Sequence, residues 1–268
     1  MLPAEYKKRS FLKFDVPIDL KEIRKEYQSI PADAWASSYW VQHCSIGTLL
    51  LRGGNTGTET DYWSKETVDH PLLATLPTIK ALLEKDGPFG GAVYAFIFRT
   101  QPNGVTLIHR DEDPRWENMF RIHIPIETNS GAYLISDGLS MHFSAGHAWS
   151  FDNYTQHGVV NGPHERIHLI FDVLFNKKLA DRIDNAEFHP GEEIFGHWQK
   201  ITNPKYAINP YPGDKVIAEA INEMRMKGMD DGAIATNLNK KGFPTKEYIT
   251  KKAKQVPKKW NYKMVAKF

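Results

Sequence analysis

The chain has 268 residues, 41% of them hydrophobic and 25% charged, with a net charge of +2 and a single cysteine, Cys44. That length suits one large domain or a domain with a small appendage, and the composition is that of an ordinary globular protein. One cysteine excludes an internal disulfide and a thiolate metal cluster. The opening stretch MLPAEYKKRSFLKF has no apolar core of a secretory signal, and no run approaches the ~20 apolar residues of a membrane span, so a reducing, cytoplasmic setting is expected.

The small net charge hides an asymmetry. Residues 213–268 hold 13 Lys/Arg against 6 Asp/Glu, whereas the preceding 212 residues hold 21 against 26. A basic tail after a slightly acidic body fits anionic partners, but a solvated lysine-rich helix looks the same and is the simpler reading.

In chain order, DLKEIRKEYQ (19–28) reads as a helix capped by Asp19, with Leu20, Ile23 and Tyr27 on one face. Val41 to Leu51 reads as strand, followed by a loop at Gly53, Gly54, Asn55 and Gly57. PTIKALLEKDGP (77–88) is a short helix ended by Gly87-Pro88. From residue 91 the pattern turns to β, with strands expected at 92–98, 104–109, 120–126, 131–136, 147–151, 157–160 and 166–175. Short strands at turn-separated spacing predict an all-β sandwich or barrel, with the preceding helices packed on one outer face. After Phe175 the chain reads as less regular, and residues 214–241 read as two helices broken at Gly228.

Two strands share a pattern. In FRIHIPI, Phe120, Ile122, Ile124 and Ile126 alternate with Arg121 and His123; in RIHLIF, Ile167, Leu169 and Phe171 alternate with Arg166, His168 and Ile170. Side chains at i and i+2 of a strand share a face. If the apolar faces pack on helices, the basic faces line a barrel interior or solvent. A basic interior should hold an anion, because a buried guanidinium is costly without one.

His109-Arg110-Asp111 places an imidazole and a carboxylate at i and i+2, where the strand GVTLIH ends, and His157 opens a later strand. Two imidazoles and a carboxylate with open positions suit non-haem Fe(II); zinc accepts the same ligands. Alone, His-x-Asp also reads as a solvated turn pair. Followed by a distant His and an Arg nine residues beyond it, it is far more specific. His142 and His147 are rival ligands without such an arrangement around them. The bland reading of Arg166 pairs it with an acid such as Asp172 or Glu165. Trp149 and Phe151 read as core, Trp40, Tyr62 and Trp63 as packing or the roof of a pocket, and Asp152-Asn153 as the turn before His157.

The block HRD…FRIHIPIETN…HFSAGHAWSFDNYTQHGVVNGPHERIHLIFD resembles the aspartyl/asparaginyl β-hydroxylase-like branch of the Fe(II)/2-oxoglutarate oxygenases, which includes bacterial free-proline hydroxylases. The resemblance covers roughly residues 35–175 and is densest over 94–175. It implies a mainly β fold, a double-stranded β-helix (jelly-roll, cupin-like barrel) with flanking helices. It implies His109, Asp111 and His157 as iron ligands and catalytic residues, Arg166 as the holder of the distal carboxylate of 2-oxoglutarate, and Arg121 and His123 as lining for the same cavity, facing co-substrate or a substrate carboxylate. Some animal members lack the carboxylate ligand, so Asp111 places the chain nearer the bacterial ones. The implied reaction uses Fe(II), 2-oxoglutarate and O₂ to hydroxylate an amino acid, free or within a peptide, releasing succinate and CO₂.

On this reading residues 1–212 form the oxygenase domain and 213–268 a basic helical appendage. The segment VIAEAINEMRMKGMDDGAIATNLNKKGFPT (216–245) resembles small helix–turn–helix units of some recombinases and regulators. Bound to DNA, it would set a helix at about 231–240 in the major groove and Lys240, Lys241 and Lys246 near phosphate. A lid or dimerisation element is favoured instead, because that helix is short of arginine. The rival to an enzyme is an anion-binding barrel whose tail docks DNA or a partner.

Overall fold

The computed structural model describes residues 11–38, 43, 45–54, 66–111, 114–202, 221–222 and 224–240. Trp40, Cys44, Tyr62, Trp63, Lys241 and Lys246 lie outside the described residues, as do Val41, Asn55 and Gly57.

Thirteen described strands form two antiparallel sheets. The strands are β1 (Phe11–Phe14), β2 (Ala36–Ser37), β3 (Ile46–Gly53), β4 (Val68–Asp69), β5 (Ala92–Thr100), β6 (Val105–His109), β7 (Met119–Glu127), β8 (Tyr133–Ser136), β9 (Leu139–Met141), β10 (Ala148–Phe151), β11 (His157–Val160), β12 (Arg166–Leu174) and β13 (Glu187–His189). The larger sheet runs β13-β1-β10-β7-β12-β5-β3-β2, with β4 beside β3, and the smaller runs β6-β11-β8-β9. Strands β5 to β12, taken as one to eight, thus pair as 1-8-3-6 and 2-7-4-5. This is the two-sheet jelly roll of a double-stranded β-helix, as expected.

Alternation on β7 and β12 sorts side chains between two environments. Ile122, Ile124 and Ile126 of β7 and Ile167, Leu169, Phe171 and Val173 of β12 join one apolar cluster with Ile23, Ile79, Leu83, Leu179 and Ile183. Those last five come from helices α1 (Leu20–Gln28), α2 (Pro77–Leu83) and α3 (Lys177–Asp184), which cover the outer face of the larger sheet. The alternate residues Arg121, His123, Arg166, His168 and Asp172 turn to the other face, between the sheets. There Phe11, Leu134, Phe143, Trp149 and Phe151 pack together at one side, and Tyr94, Phe96, Phe98, Trp116 and Ile170 at the other.

The helices are held by specific polar contacts. Asp19 caps α1 by accepting from the Glu22 N–H at 3.1 Å. Helix α2 opens with Pro77 and has no cap of its own; instead the buried Glu26 carboxylate of α1 accepts from the N–H groups of Thr78 and Ile79 at 2.6 and 3.0 Å. An acid at a helix N-terminus meets the positive end of the dipole. Helix α2 stops at Leu83, before the expected Gly87-Pro88, and there Arg52 donates to the Leu83 carbonyl at 2.7 Å and to the Glu84 carboxylate at 3.1 Å. A side chain at Gly87 would meet the Ala81 carbonyl at 2.7 Å, so the chain folds back there only with glycine.

The segment after Phe175 is more ordered than its composition suggests. Asn176 caps α3 through its contact with the Leu179 N–H at 3.0 Å, and α4 (His197–Thr202) lies on the outer face of the smaller sheet, where Ile201 packs with Val105, Leu107, Ile135 and Val160. Further along the chain, α5 (Asp231–Lys240) follows a turn at Gly228 and is capped by Asp230, whose carboxylate accepts from the Ala233 N–H at 2.8 Å. No described helix is long and apolar enough to cross a membrane.

Phe171 has no exposed surface and sits with its ring 5.7 Å from that of Phe89. Phe171→Ala should cost about 3–5 kcal/mol of stability, read as a lower urea midpoint at unchanged slope. A midpoint equal to wild type would show that the outer cluster does not hold the sheet to its helices.

Candidate metal centre and anion pocket

His109 ends β6 and His157 begins β11, and the two are direct cross-strand partners. Their ring centroids lie 4.2 Å apart. Each ring is turned by the same device: Nδ1–H of His109 donates to the Leu107 carbonyl at 2.8 Å, and Nδ1–H of His157 to the Thr155 carbonyl at 2.9 Å. The proton is thereby assigned to Nδ1 in both, which leaves each Nε2 with its lone pair. The pairing register shifts between His157 and Val159, the kind of local irregularity that re-aims a side chain beside a site.

Asp111 lies just past β6. Its Oδ2 accepts from Nη1 of Arg121 at 3.0 Å and from Nδ2 of Asn153 at 2.8 Å, and Oδ1 lies 3.9 Å from Nε2 of His109. The Asp111 N–H also donates to the Asn153 carbonyl at 3.1 Å. One ligand atom from each of His109, Asp111 and His157 falls within 4.8 Å of the others. Burial works to raise the Asp111 carboxyl, but Arg121, His157 and His109 outweigh it and hold it well below the ordinary carboxylate value. Burial, and then the neighbouring His109, push His157 down to about 3; burial likewise lowers His109. Two neutral imidazoles and one carboxylate are the protonation states that a divalent cation needs.

Arg121 was expected to line the co-substrate cavity, facing co-substrate or a substrate carboxylate. Its guanidinium lies on two carboxylates of this chain. Nε and Nη2 donate to the two oxygens of Asp172 at 2.9 and 3.1 Å, and Nη1 reaches Asp111. The guanidinium carbon sits 4.4 Å from the Trp116 ring centre. Asp172 is fully buried and directly opposite Arg121 in the β7–β12 register. Burial pushes the Asp172 carboxyl up, and the two guanidinium donors oppose that shift.

Arg166 is different. It is 3% exposed, and neither acid considered for it in the sequence is its partner: Asp172 holds Arg121, and Glu165 lies 4.0 Å from Arg99. Among the described residues Arg166 has no carboxylate within ion-pair distance, and its Nη2 donates to Nδ1 of His168 at 3.0 Å. Burial alone pulls Arg166 down to about 9, so it remains a cation at neutral pH. His168 accepts at Nδ1 and therefore carries its proton on Nε2, which is buried without a partner. Both ring nitrogens of His123 are also buried without partners, 5.8 Å ring to ring from His168. Burial and then Arg166 hold both histidines well below their ordinary value. An unpaired buried cation flanked by unsatisfied imidazoles is an arrangement that a bound anion would satisfy.

His142 and His147 are turned to the Ala132 and Ala145 carbonyls at 2.9 and 3.2 Å and do not join the triad. Arg110 is exposed. Trp149 and Phe151 are core, as expected, and Phe151 also lies 5.0 Å ring to ring from His157. The sequence reading passed over three site neighbours. Asn153 was taken only as a turn residue, Asp172 only as a partner for Arg166, and His43 not at all, although its ring packs edge-on 5.4 Å from that of His109. Asp172 had a legible signal, since it shares a strand face with Arg166 and His168; Asn153 and His43 had none.

A curated relative, the L-proline cis-4-hydroxylase of Rhizobium meliloti (strain 1021), is 27% identical over 162 residues, which are 59% of this chain and 58% of that protein. Solved structures with a similar course include a 2OG-Fe(II) oxygenase family oxidoreductase from Burkholderia pseudomallei (13% identity, 65% of this chain and 80% of that one, TM-score 0.43). Another is a prolyl hydroxylase from Trichoplax adhaerens in complex with a hypoxia inducible factor peptide fragment (13% identity, 66% and 89%, TM-score 0.40). The assignment rests on the sequence family model for aspartyl/asparaginyl beta-hydroxylase, which matches residues 19–175 and so takes in every strand and loop that carries the triad and the anion pocket. The chain belongs to the aspartyl/asparaginyl beta-hydroxylase family.

Proposed function

We propose that this protein is an Fe(II)- and 2-oxoglutarate-dependent hydroxylase acting on an amino acid, free or within a peptide. The observation that carries the proposal is the pairing of the His109, Asp111 and His157 donor set with a buried guanidinium, Arg166, that has no acid of its own. The triad would hold the metal as two neutral nitrogens and one carboxylate oxygen, leaving positions for co-substrate and O₂. Bound Fe(II) would supply the oxygen chemistry that no side chain offers.

The remaining residues bind and orient. Arg166 takes the distal carboxylate of 2-oxoglutarate through its fork of donors, and that contact offsets the several kcal/mol that an isolated buried ion costs. His168 fixes the guanidinium from behind, and its Nε2–H is available to the same anion. His123 lines the cavity between Arg166 and the triad. Phe143 and Phe151 pack against the His123 ring, and Phe98 packs against His43 beside His109. In the overall balance one atom of O₂ becomes the hydroxyl on the substrate, the other enters succinate, and CO₂ leaves. The relative's name makes L-proline the first substrate to test.

Protein supplied with Fe(II), ascorbate and 2-oxoglutarate should release succinate slowly, and faster with its amino acid, whose mass rises by one oxygen atom. Asp111→Ala should lower turnover by at least the roughly 100-fold that losses around a metal reach; full activity in that variant would end the iron assignment. Product formation that persists under strict anaerobiosis would move the site to zinc chemistry.

Arg166→Met removes charge-assisted hydrogen bonds worth about 1.5–3 kcal/mol, about 10- to 100-fold in the Kd of 2-oxoglutarate, measured by titration of the Mn(II)-loaded protein. An unchanged Kd would remove Arg166 from the pocket. In the same titration, affinity should stay level from pH 8 to pH 6. His123 and His168 are held well below the ordinary histidine value of 6.5, so neither gains a positive charge in that window. A severalfold tightening as pH falls through 6.5 would show that one of them does.

A further inference from the structure

Asp172 touches none of the three candidate ligands, yet it holds the group that holds one of them. Its two oxygens take Nε and Nη2 of Arg121, and the same guanidinium places Nη1 on Oδ2 of Asp111. The plane of the guanidinium is pinned by Trp116 at 4.4 Å and Phe96 at 5.4 Å. Asn153 supplies a second donor to the same oxygen, Oδ2. Both donors therefore fall on one carboxylate oxygen, and Oδ1 is the one directed towards Nε2 of His109.

We propose that Asp172 and Arg121 are positioning residues that make Asp111 a one-oxygen ligand and keep its negative charge available to the metal; this rests on the metal-centre reading given above. The fork of Arg121 bridges two carboxylates that lie on different elements, β12 and the loop after β6, and so fixes the rotation of the Asp111 carboxylate. The charge argument is separate. Arg121 with Asp111 alone would be a neutral pair, and an arriving cation would have to compete with a guanidinium for its ligand. Where its two-point contact with Arg121 holds Asp172 ionised, it balances the guanidinium from the far side, and the three groups together carry one net negative charge. The buried acid on β12 thus keeps the arginine from acting as a substitute for the metal.

Co(II) titration of the full-length metal-free protein tests this, because the visible band of the bound ion reports its ligands without any turnover. Wild type should take up one Co(II). Asp172→Asn should raise the Kd about 10- to 100-fold, the usual effect of losing an outer partner of a metal ligand, and shift the band. In an Arg121→Gln background, the same Asp172→Asn change should cost less than about twofold, since its effect runs through the arginine. Wild-type Kd and band in Asp172→Asn, or its full cost with Arg121 already removed, would overturn the positioning role alone. If Asp172→Asn does not fold, Arg121→Lys keeps the charge but lacks the fork. It should show the same loss, and wild-type Co(II) affinity in Arg121→Lys would overturn the proposal. Failure of the wild-type protein to bind Co(II) would remove the metal centre itself, and the positioning role with it.

Discussion

The antiparallel register of β7 against β12 is the constraint from which the rest of the site follows. It sets Arg121 opposite Asp172 and His123 opposite Ile170, and the two-residue period then sends Arg121, His123, Arg166, His168 and Asp172 inward and Ile122, Ile124, Ile126 and Ile167 outward. A slip by one residue would exchange the faces. It would drive Arg121, His123, Arg166, His168 and Asp172 into the helix-facing cluster and leave a greasy cavity without ligands. The outer cluster of Ile122, Ile124, Leu169 and Phe171 therefore does more than stabilise the barrel. By making the wrong register costly, it selects the arrangement in which the inner charges meet.

Within the barrel two arginines, the buried Arg166 and the half-buried Arg121, face opposite electrostatic situations. Arg121 is saturated by Asp172 and Asp111 and stacked on Trp116. Arg166 has a neutral histidine and nothing else charged among the described residues. Removing one partner of a buried pair typically costs about 3–5 kcal/mol, and Arg166 exists in that half-made condition. An anion that bound Arg166 in the folded chain alone would shift the folding equilibrium by mass action. The unsatisfied nitrogens of His123 and His168 extend the same logic to neutral hydrogen bonds.

How much of this was legible in the sequence depended on whether a feature was local. Alternation in FRIHIPI and RIHLIF gave both strands and the direction of their basic residues, and His109-x-Asp111 with His157 marked the three donors that the fold gathers. Short edge strands escaped notice: β1 and β13 have four and three residues, too few to show a period, and their pairing joins segments far apart in the chain. Helix α3 was overlooked although its Asn176 cap and its buried Leu179 and Ile183 were readable. The partner of each arginine was not readable at all. Asp172 shares a strand with Arg166 but lies across from Arg121, and choosing between them requires the register. The grip of Asn153 on Asp111 joins two loops, which no pattern within either one records.

The three donors are held by two kinds of support, and the difference decides where the site is vulnerable. His109 and His157 are each turned by the carbonyl two residues earlier, a partner that any sequence supplies once the strand forms. Asp111 sits beyond the end of its strand and has no such backbone acceptor to set it, since a carboxylate needs donors. Its orientation comes from the side chains of Arg121 and Asn153, and through Arg121 from Asp172. The imidazoles are therefore as rigid as the sheet, whereas the carboxylate is only as well placed as a chain of buried side chains. A buried acid at Asp172 fits that asymmetry, because through Arg121 it steadies a carboxylate that no backbone group sets.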